Sequence, residues 1–437
     1  MRFRRLADWL EWLATLHPRS IELGLERIGR VWGRLAHGPV PFPIISIAGT
    51  NGKGSCAAML EAVYGAAGYR TACYTSPHLL RYTERIRIHG TEVEEDDLCD
   101  AFARVDAVRG GDSLTYFEFG TLAAMDIFLR SSPEVAILEV GLGGRLDAVN
   151  LFDPDLAMIT SIGRDHTAWL GETLEEIAAE KAGILRRGRP AVIGHRKPVP
   201  TLIQAGEARG CPMYVLGRDF HWEPAPPGWR WKGPGFEALG LTPPALRGRV
   251  QYDNASAVIM AIACLRDRLP VSRASLRQGL QRARPLGRFQ VLPGAPTWIL
   301  DVAHNAPAAV VLAEGLGSLP CTGTRHAVVG MLADKEAAAI VAPLMAWTQR
   351  WHVAAAEDPR AMPAEILAGA IRGLDPTAAL TSYRDMPAAL ASAVEVSGEG
   401  DCILVFGSFT TVEAALRRIA GANGDELTEA TGSRALI

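Results

Sequence analysis

Hydrophobic residues fall into two rhythms along this chain. Short, mainly apolar runs at 44–47, 71–75, 135–144, 156–162, 190–193 and 213–216 read as strands, the first buried and the third central and ending in glycines. Between them, apolar positions recur every three to four residues, as helices require, at 57–67, 94–108, a stretch ending near Arg130, 174–185 and 200–209. Thr173 starts the fourth of these. Residues 6–36 read as helical, with Ser20 capping an amphipathic helix start just ahead of the first strand. Residues 223–244, rich in Pro, Gly and Trp, predict a loop or a small antiparallel sheet. Asn254 is expected to begin a helix through Leu269, and another follows at 271–284.

At Pro285-Leu286-Gly287-Arg288 the texture changes, and a boundary between domains 1–284 and 285–437 is expected there. Beyond it, strands at 298–302, 327–331, 351–355, 378–383 and 402–406 alternate with helices at 308–315, 335–347, 363–372, 387–396 and 412–420. That rhythm predicts a smaller, mostly parallel, Rossmann-like α/β domain beside a larger α/β one. From Asn423 a frayed tail is expected.

Length agrees with two domains, since 437 residues are many for one core. A net charge of −3 gives no electrostatic case for nucleic acid. Seven scattered cysteines without a C-x-x-C pair suggest reduced thiols in a cytoplasmic protein, with neither a disulfide frame nor a zinc site. The basic start Met1-Arg2-Phe3-Arg4-Arg5 is followed by Asp8 and Glu11 rather than a signal core. The longest apolar run, near 337–347, is well short of the roughly 18 residues that span a membrane.

Candidate chemistry gathers at strand ends. The stretch Ile44-Ile45-Ser46-Ile47-Ala48-Gly49-Thr50-Asn51-Gly52-Lys53-Gly54-Ser55 reads as strand, glycine loop, lysine and helix. Such a loop turns backbone N–H groups inward, the helix N-terminus adds partial positive charge, and the lysine reaches terminal phosphates. The spacing is unusual: Ile47 stands where the first glycine of the common motif falls, and Gly54 separates Lys53 from Ser55. The ordinary alternative is a plain glycine turn.

Glu139 closes an otherwise apolar run, and a buried carboxylate must be paired or bound to metal. An acid at a strand's C-terminal end beside a phosphate loop suits Mg²⁺ chemistry; a salt-bridged core acid is the alternative. The loop from Ser76-Pro77-His78 to Ile86 is dense in groups that bond phosphate, metal or a polar ring, though solvation alone accounts for such a loop equally well. His166 follows another strand end, and Lys181 reads locally as an exposed helix lysine.

The ordered series Leu23-Gly24-Leu25-Glu26-Arg27, Gly49 to Ser55, Ser76-Pro77-His78-Leu79, Glu139 to Asp147, Asp165-His166-Thr167, Glu180-Lys181-Ala182-Gly183, Gly287-Arg288-Phe289-Gln290, Asp301-Val302-Ala303-His304-Asn305 and Gly407-Ser408-Phe409 resembles the bifunctional dihydrofolate synthase/folylpolyglutamate synthase family of Mur-ligase-like amide ligases. The likeness runs from about Leu10 to about Ala420. It implies a P-loop ATPase domain with a mostly parallel sheet that also binds the pterin, followed by a C-terminal glutamate ligase domain. It also implies an ATP-driven ligation in which a substrate carboxylate is phosphorylated and the L-glutamate amine displaces phosphate. Dihydropteroate and folates would be the acids. A different Mur-type ligase and a non-catalytic ATP-binding regulator are the other readings.

By the same resemblance Thr50, Asn51, Gly52, Lys53, Gly54 and Ser55 hold the ATP phosphates, and Asn254, Arg288 and Asp301 contact ATP. Ser76, Glu139, His166 and a carbamylated Lys181 match the ligands of two Mg²⁺ sites, with Lys53, Lys181 and His166 acting in catalysis. Leu23 to Arg27, Thr115 and Asp147 match the pterin side; His304 and Ser408 match glutamate contacts. The stretch at 23–27 is the feature linked to accepting dihydropteroate as well as folates. Glutamate is expected to meet the acyl phosphate between the domains, whose closure excludes water. Two departures stand out: the Asp301 motif continues Asn305-Ala306-Pro307 rather than Asn-Pro, and Thr410 stands where histidine is frequent. A monomer is the default expectation.

Overall fold

The computed structural model describes residues 1–36 and 38–422, so the tail expected from Asn423 lies outside the described residues. Two compact units emerge, one formed by Met1–Ala245 with Tyr252–Ala283, the other by Leu246–Gln251 with the chain from Arg284 on.

The first unit is built on an eight-stranded sheet. Its strands are β1 (Ile44–Ala48), β2 (Thr71–Tyr74), β3 (Ile86–Ile88), β4 (Thr91–Glu92), β5 (Val135–Glu139), β6 (Leu156–Ile159), β7 (Ala191–Ile193) and β8 (Met213–Val215), in the order β4-β3-β2-β5-β1-β6-β7-β8. All pair in parallel except β3 and β4, which add antiparallel at one edge. β1, β2, β5, β6 and β7 are buried along their whole length, as their mainly apolar runs lead one to expect. From β1 the chain first builds leftward to β2 and β5, then rightward through β6. The order therefore reverses at β1, and its C-terminal end opens onto the crevice where α/β sheets take ligands.

Helices α1 (Leu6–Leu16), α2 (Glu26–Leu35), α3 (Lys53–Ala66), α4 (Glu95–Arg109), α5 (Tyr116–Ser131), α6 (Thr167–Leu170) and α7 (Leu174–Lys181) belong to this unit. The expected helix over 6–36 is broken: α1 stops before Pro18, which bars the preceding residue from helical geometry. α2 starts only at Glu26 with Leu25 as its cap, so Ser20 caps nothing. Thr173 does cap α7, through a reciprocal pair with Glu176. Asn254 lies inside a helix over Arg249–Cys264 rather than at its start. The Trp-rich stretch forms a three-stranded antiparallel meander, β9 (His221–Ala225), β10 (Gly228–Gly233) and β11 (Phe236–Leu241).

The second unit holds a six-stranded sheet of β12 (Gln290–Leu292), β13 (Thr297–Leu300), β14 (Arg325–Val329), β15 (Arg350–Val353), β16 (Leu380–Ser382) and β17 (Cys402–Phe406), in the order β12-β13-β17-β14-β15-β16. The five expected strands pair in parallel; β12, which the sequence reading lacks, adds antiparallel to β13. Ile299, Val329, Trp351, Leu404 and Phe406 form part of its core. Among the described residues no helix is long and apolar enough to cross a membrane.

Candidate active site

The glycine loop leaves β1 and feeds α3, whose first residue is Lys53. The segment that follows neighbouring strand β6 supplies the loop's anchors. Thr50 N donates to Ser161 O at 2.8 Å, Asn51 N to Ser161 Oγ at 3.0 Å, and Thr160 Oγ1 to Asn51 O at 2.6 Å. Thr50 Oγ1 donates to Gly163 O at 3.0 Å and accepts from Gly163 N at 2.9 Å. Gly49, at φ +148°, passes so close to Thr160 that a Cβ there would collide with Thr160 Oγ1. Gly52 sits at φ +89°, where a Cβ would lie 2.8 Å from Asn254 Oδ1, so Asn254 borders the loop. Thr160, Ser161 and Gly163 are absent from the sequence-derived set. The available signal was two hydroxyl residues directly after an apolar strand.

Two lysines meet at this loop. Lys53 Nζ donates to Gly49 O at 3.0 Å and to Thr50 O at 3.3 Å; Lys181 Nζ, from the end of α7, donates to Gly49 O at 3.2 Å. Lys181 is 4% exposed, not the solvated helix residue that local sequence suggests. Burial, reinforced by the charge of Lys53, holds its ammonium down to about 7, against the opposing pull of Asp165 and Asp147.

Glu139, 3% exposed, ends β5 opposite Ile47 of β1, and its Oε2 accepts the Ser76 N–H at 3.3 Å. His166 lies beyond β6 on the other side of β1, exposed and left-handed at φ +52°, with its N–H on Asp165 Oδ1. The hydroxyl of Ser76, the carboxylate of Glu139 and the imidazole of His166 are a donor set of types that suit a divalent cation; among the described residues no group of three or more His, Cys, Asp or Glu side chains is gathered to hold one. An ammonium cannot coordinate a cation, so Lys181 fits that set only as a carbamate. Its lowered pKa leaves a sizeable neutral amine fraction near pH 7, which is the form that adds CO₂.

Asp147, 1% exposed, accepts from Leu142 N at 2.8 Å and Val149 N at 3.0 Å. Burial pushes its carboxyl up to about 6 in spite of these bonds and of Lys53. Residues 23–27 touch the same loop, through Gly24 N on Leu146 O at 3.1 Å. Arg27 points elsewhere: it grips Glu118 through Nε and Nη2, at 3.1 and 3.0 Å, and Glu22 through Nη1 at 2.7 Å. Thr115 caps α5 and pairs reciprocally with that same Glu118. Residues 23–27, which run into α2, are thereby bolted to the start of α5.

In the second unit the candidates gather where β13 and β17 end. Asp301 accepts from Phe289 N at 2.7 Å and Ala303 N at 2.8 Å. Desolvation raises its carboxyl above the usual range, and Arg288 opposes that rise. The Arg288 guanidinium stands 5.5 Å from the Phe409 ring centre, and His304 lies 6.1 Å from the same ring. His304 Nδ1 bonds Val302 O at 2.8 Å. Ser408 Oγ receives Thr411 N at 3.0 Å and bonds the Thr410 and Thr411 hydroxyls. In the divergent Asn305-Ala306-Pro307 turn, Asn305 caps the helix over Ala306–Gly317, with Pro307 in its first turn.

A glycine loop on which Lys53 and Lys181 converge, a strand-end acid on the neighbouring strand and a second α/β unit agree with the Mur-type ligase class. Models of that class match twice: the Mur ligase middle domain over residues 47–222 and the Mur ligase glutamate ligase domain over 287–409. The dihydrofolate synthase/folylpolyglutamate synthase of Escherichia coli K12 is 40% identical over 408 residues, covering 93% of this chain and 94% of that protein. Escherichia coli FolC solved with DHPP and ADP superposes with a TM-score of 0.90 at 38% identity, covering 96% and 99% of the two chains. A bifunctional folylpolyglutamate synthase/dihydrofolate synthase solved with Mn, AMPPNP and L-glutamate gives 0.87 at 41% identity, covering 95% and 98%. The chain belongs to the dihydrofolate synthase/folylpolyglutamate synthase family, whose members are ATP-dependent ligases that add glutamate.

Proposed function

We propose that this protein joins L-glutamate to dihydropteroate, forming dihydrofolate, and to folates, forming polyglutamates. The observation that carries the reading is the convergence of Lys53 and Lys181 on Gly49 O, beside the buried Glu139. The loop N–H groups from Thr50 to Ser55 and the Lys53 ammonium hold the triphosphate and neutralise charge on its terminal oxygens. A substrate carboxylate oxygen attacks the γ-phosphorus, ADP departs, and an acyl phosphate results. The glutamate amine then attacks the acyl carbon, phosphate leaves, and the amine gives up a proton.

Magnesium would be held at two sites by Ser76, Glu139, His166 and carbamylated Lys181, and supplies charge neutralisation on the phosphates. Asn254, Arg288 and Asp301 contribute to ATP binding, and His304 and Ser408 to glutamate. Leu23, Gly24, Leu25, Glu26, Arg27, Thr115 and Asp147 form the pterin side. Asp147 is suited to accept hydrogen bonds from a pterin's ring N–H donors, while Arg27 and Thr115 act through the frame they build with Glu118. We further propose a cytoplasmic monomer that engages small molecules and neither membrane nor nucleic acid.

Incubation with ATP, L-glutamate and dihydropteroate, followed by mass spectrometry, tests this. A glutamate adduct of the pterin acid with stoichiometric ADP is expected. No adduct on dihydropteroate or any folate would defeat the proposal.

A further inference from the structure

Asn150 belongs to none of the assigned sites, yet its side chain joins two of them. It sits on a single helical turn, Ala148–Leu151, capped by Asp147, whose Oδ1 accepts Val149 N at 3.0 Å. Asn150 is 7% exposed. Its Nδ2 donates to Arg145 O at 3.0 Å and to Gly183 O at 3.2 Å, and its Oδ1 accepts Arg186 Nη2 at 2.9 Å. Arg145 is two residues before Asp147, and Gly183 is two residues after Lys181. One amide therefore ties the loop carrying Asp147 to the turn that follows Lys181.

The surrounding contacts make this a rigid coupling rather than a chance bond. Arg145 N donates to Glu180 O at 2.8 Å, and the Arg145 guanidinium takes Glu180 Oε1 at 3.0 and 2.8 Å. A Cβ on Gly144 would lie 2.7 Å from Glu180 O, and one on Gly183 would collide with Arg145, so the two segments are in backbone contact. Arg186 extends the brace, with Nη1 on Gly183 O at 3.0 Å and Nη2 on Asn150 O at 3.0 Å. The amide of Asn150 donates to both segments, and Arg186 braces the same junction from outside it. A buried amide whose two donated bonds and one accepted bond are all satisfied in place tolerates little movement.

We infer that Asn150 is a positioning residue that couples the substrate-side Asp147 to Lys181, so that the pterin site and the carbamylated lysine form or fail together. The inference rests on the ligase reading above. Asn150→Asp tests it with minimal change of shape: it keeps an acceptor for Arg186, removes both donated bonds, and sets a carboxylate against two carbonyls. Asn150→Ala removes the brace without adding charge.

KM for dihydropteroate, KM for ATP, the carbamate resonance after labelling with ¹³C-bicarbonate, and Tm are measured for both variants and the wild type. Expected are a rise of about tenfold or more in KM for dihydropteroate together with loss of most of the carbamate signal. KM for ATP should stay within about threefold, because the phosphate loop is anchored separately by Thr160 and Ser161. The inference is overturned if either dihydropteroate KM or carbamate occupancy moves without the other, or if neither moves. It is equally overturned if every parameter falls in step with folded fraction. A wild type without glutamate-dependent ADP release brings down the ligase reading itself, so the two failures are told apart.

Discussion

Lys181 Nζ and Lys53 Nζ donate to one acceptor, the carbonyl of Gly49, at 3.2 and 3.0 Å. Two cations held that close repel unless an anion intervenes or one sheds its charge, and the buried Lys181 is the one whose charge is easier to lose. On the proposed reading the pair divides the labour: Lys53 keeps its charge for phosphate, and Lys181 is the one that gives its charge up.

Lys53→Ala should lower kcat/KM for ATP by about 10³-fold or more. Losing a charge-assisted contact to the phosphoryl oxygens costs on the order of 4 kcal/mol of transition-state stabilisation. Steady-state ADP release measures it. Near wild-type turnover would remove the loop lysine from the mechanism.

Activity should depend on pH through Lys181. Its amine, held down to about 7, is protonated below that value and then cannot add CO₂; above it the neutral amine prevails. At limiting bicarbonate, activity should therefore rise roughly tenfold per unit on the acid side and level off above about pH 8. Added bicarbonate should move the rise towards lower pH. A profile flat from about pH 6 to 8, with no bicarbonate effect, would sink the carbamate.

Gly49→Ala should destabilise the first unit by about 2–4 kcal/mol, since the added methyl meets Thr160 Oγ1 and the backbone is in the left-handed half of the map. Thr160→Ala in the same chain should recover part of that loss. Urea melts of the two variants decide it; equal midpoints for Gly49→Ala and wild type would contradict the close approach.

Arg27→Ala strands the buried end of an ion pair: Glu118 is 4% exposed and is left with its bonds to Thr115. A loss of about 2–3 kcal/mol is expected, with Arg27→Lys intermediate because a lysine cannot make the two-pronged contact. KM for dihydropteroate should rise as the loop at 23–27 loosens. If KM rises while the melt is unchanged, Arg27 touches substrate directly.

The phosphate loop was legible because its chemistry is local: a buried strand, three glycines and a lysine lie within a dozen residues. Glu139 was legible for the same reason, as the sole charge in an apolar run. The N-terminal reading started its second helix at Ser20, six residues before Glu26 where α2 begins, because apolar spacing continues through the connecting loop. β4, β3 and β12 are two or three residues long, too short to display a period. The burial of Lys181 lay beyond any local pattern, because Gly144 and Gly49, which lie against it, are more than thirty positions away. Asn150 was invisible for that reason too: its partners are Arg145, nearby, and Gly183 and Arg186, distant in sequence.

Both large sheets finish on very short strands. β4 and β8 border one, β12 and β16 the other, and none exceeds three residues. An outer strand of that length offers an incoming chain almost no open ladder to extend. The same shortness that hid β4 and β12 from a reading of the sequence leaves little edge on which a second copy of the chain could add a strand.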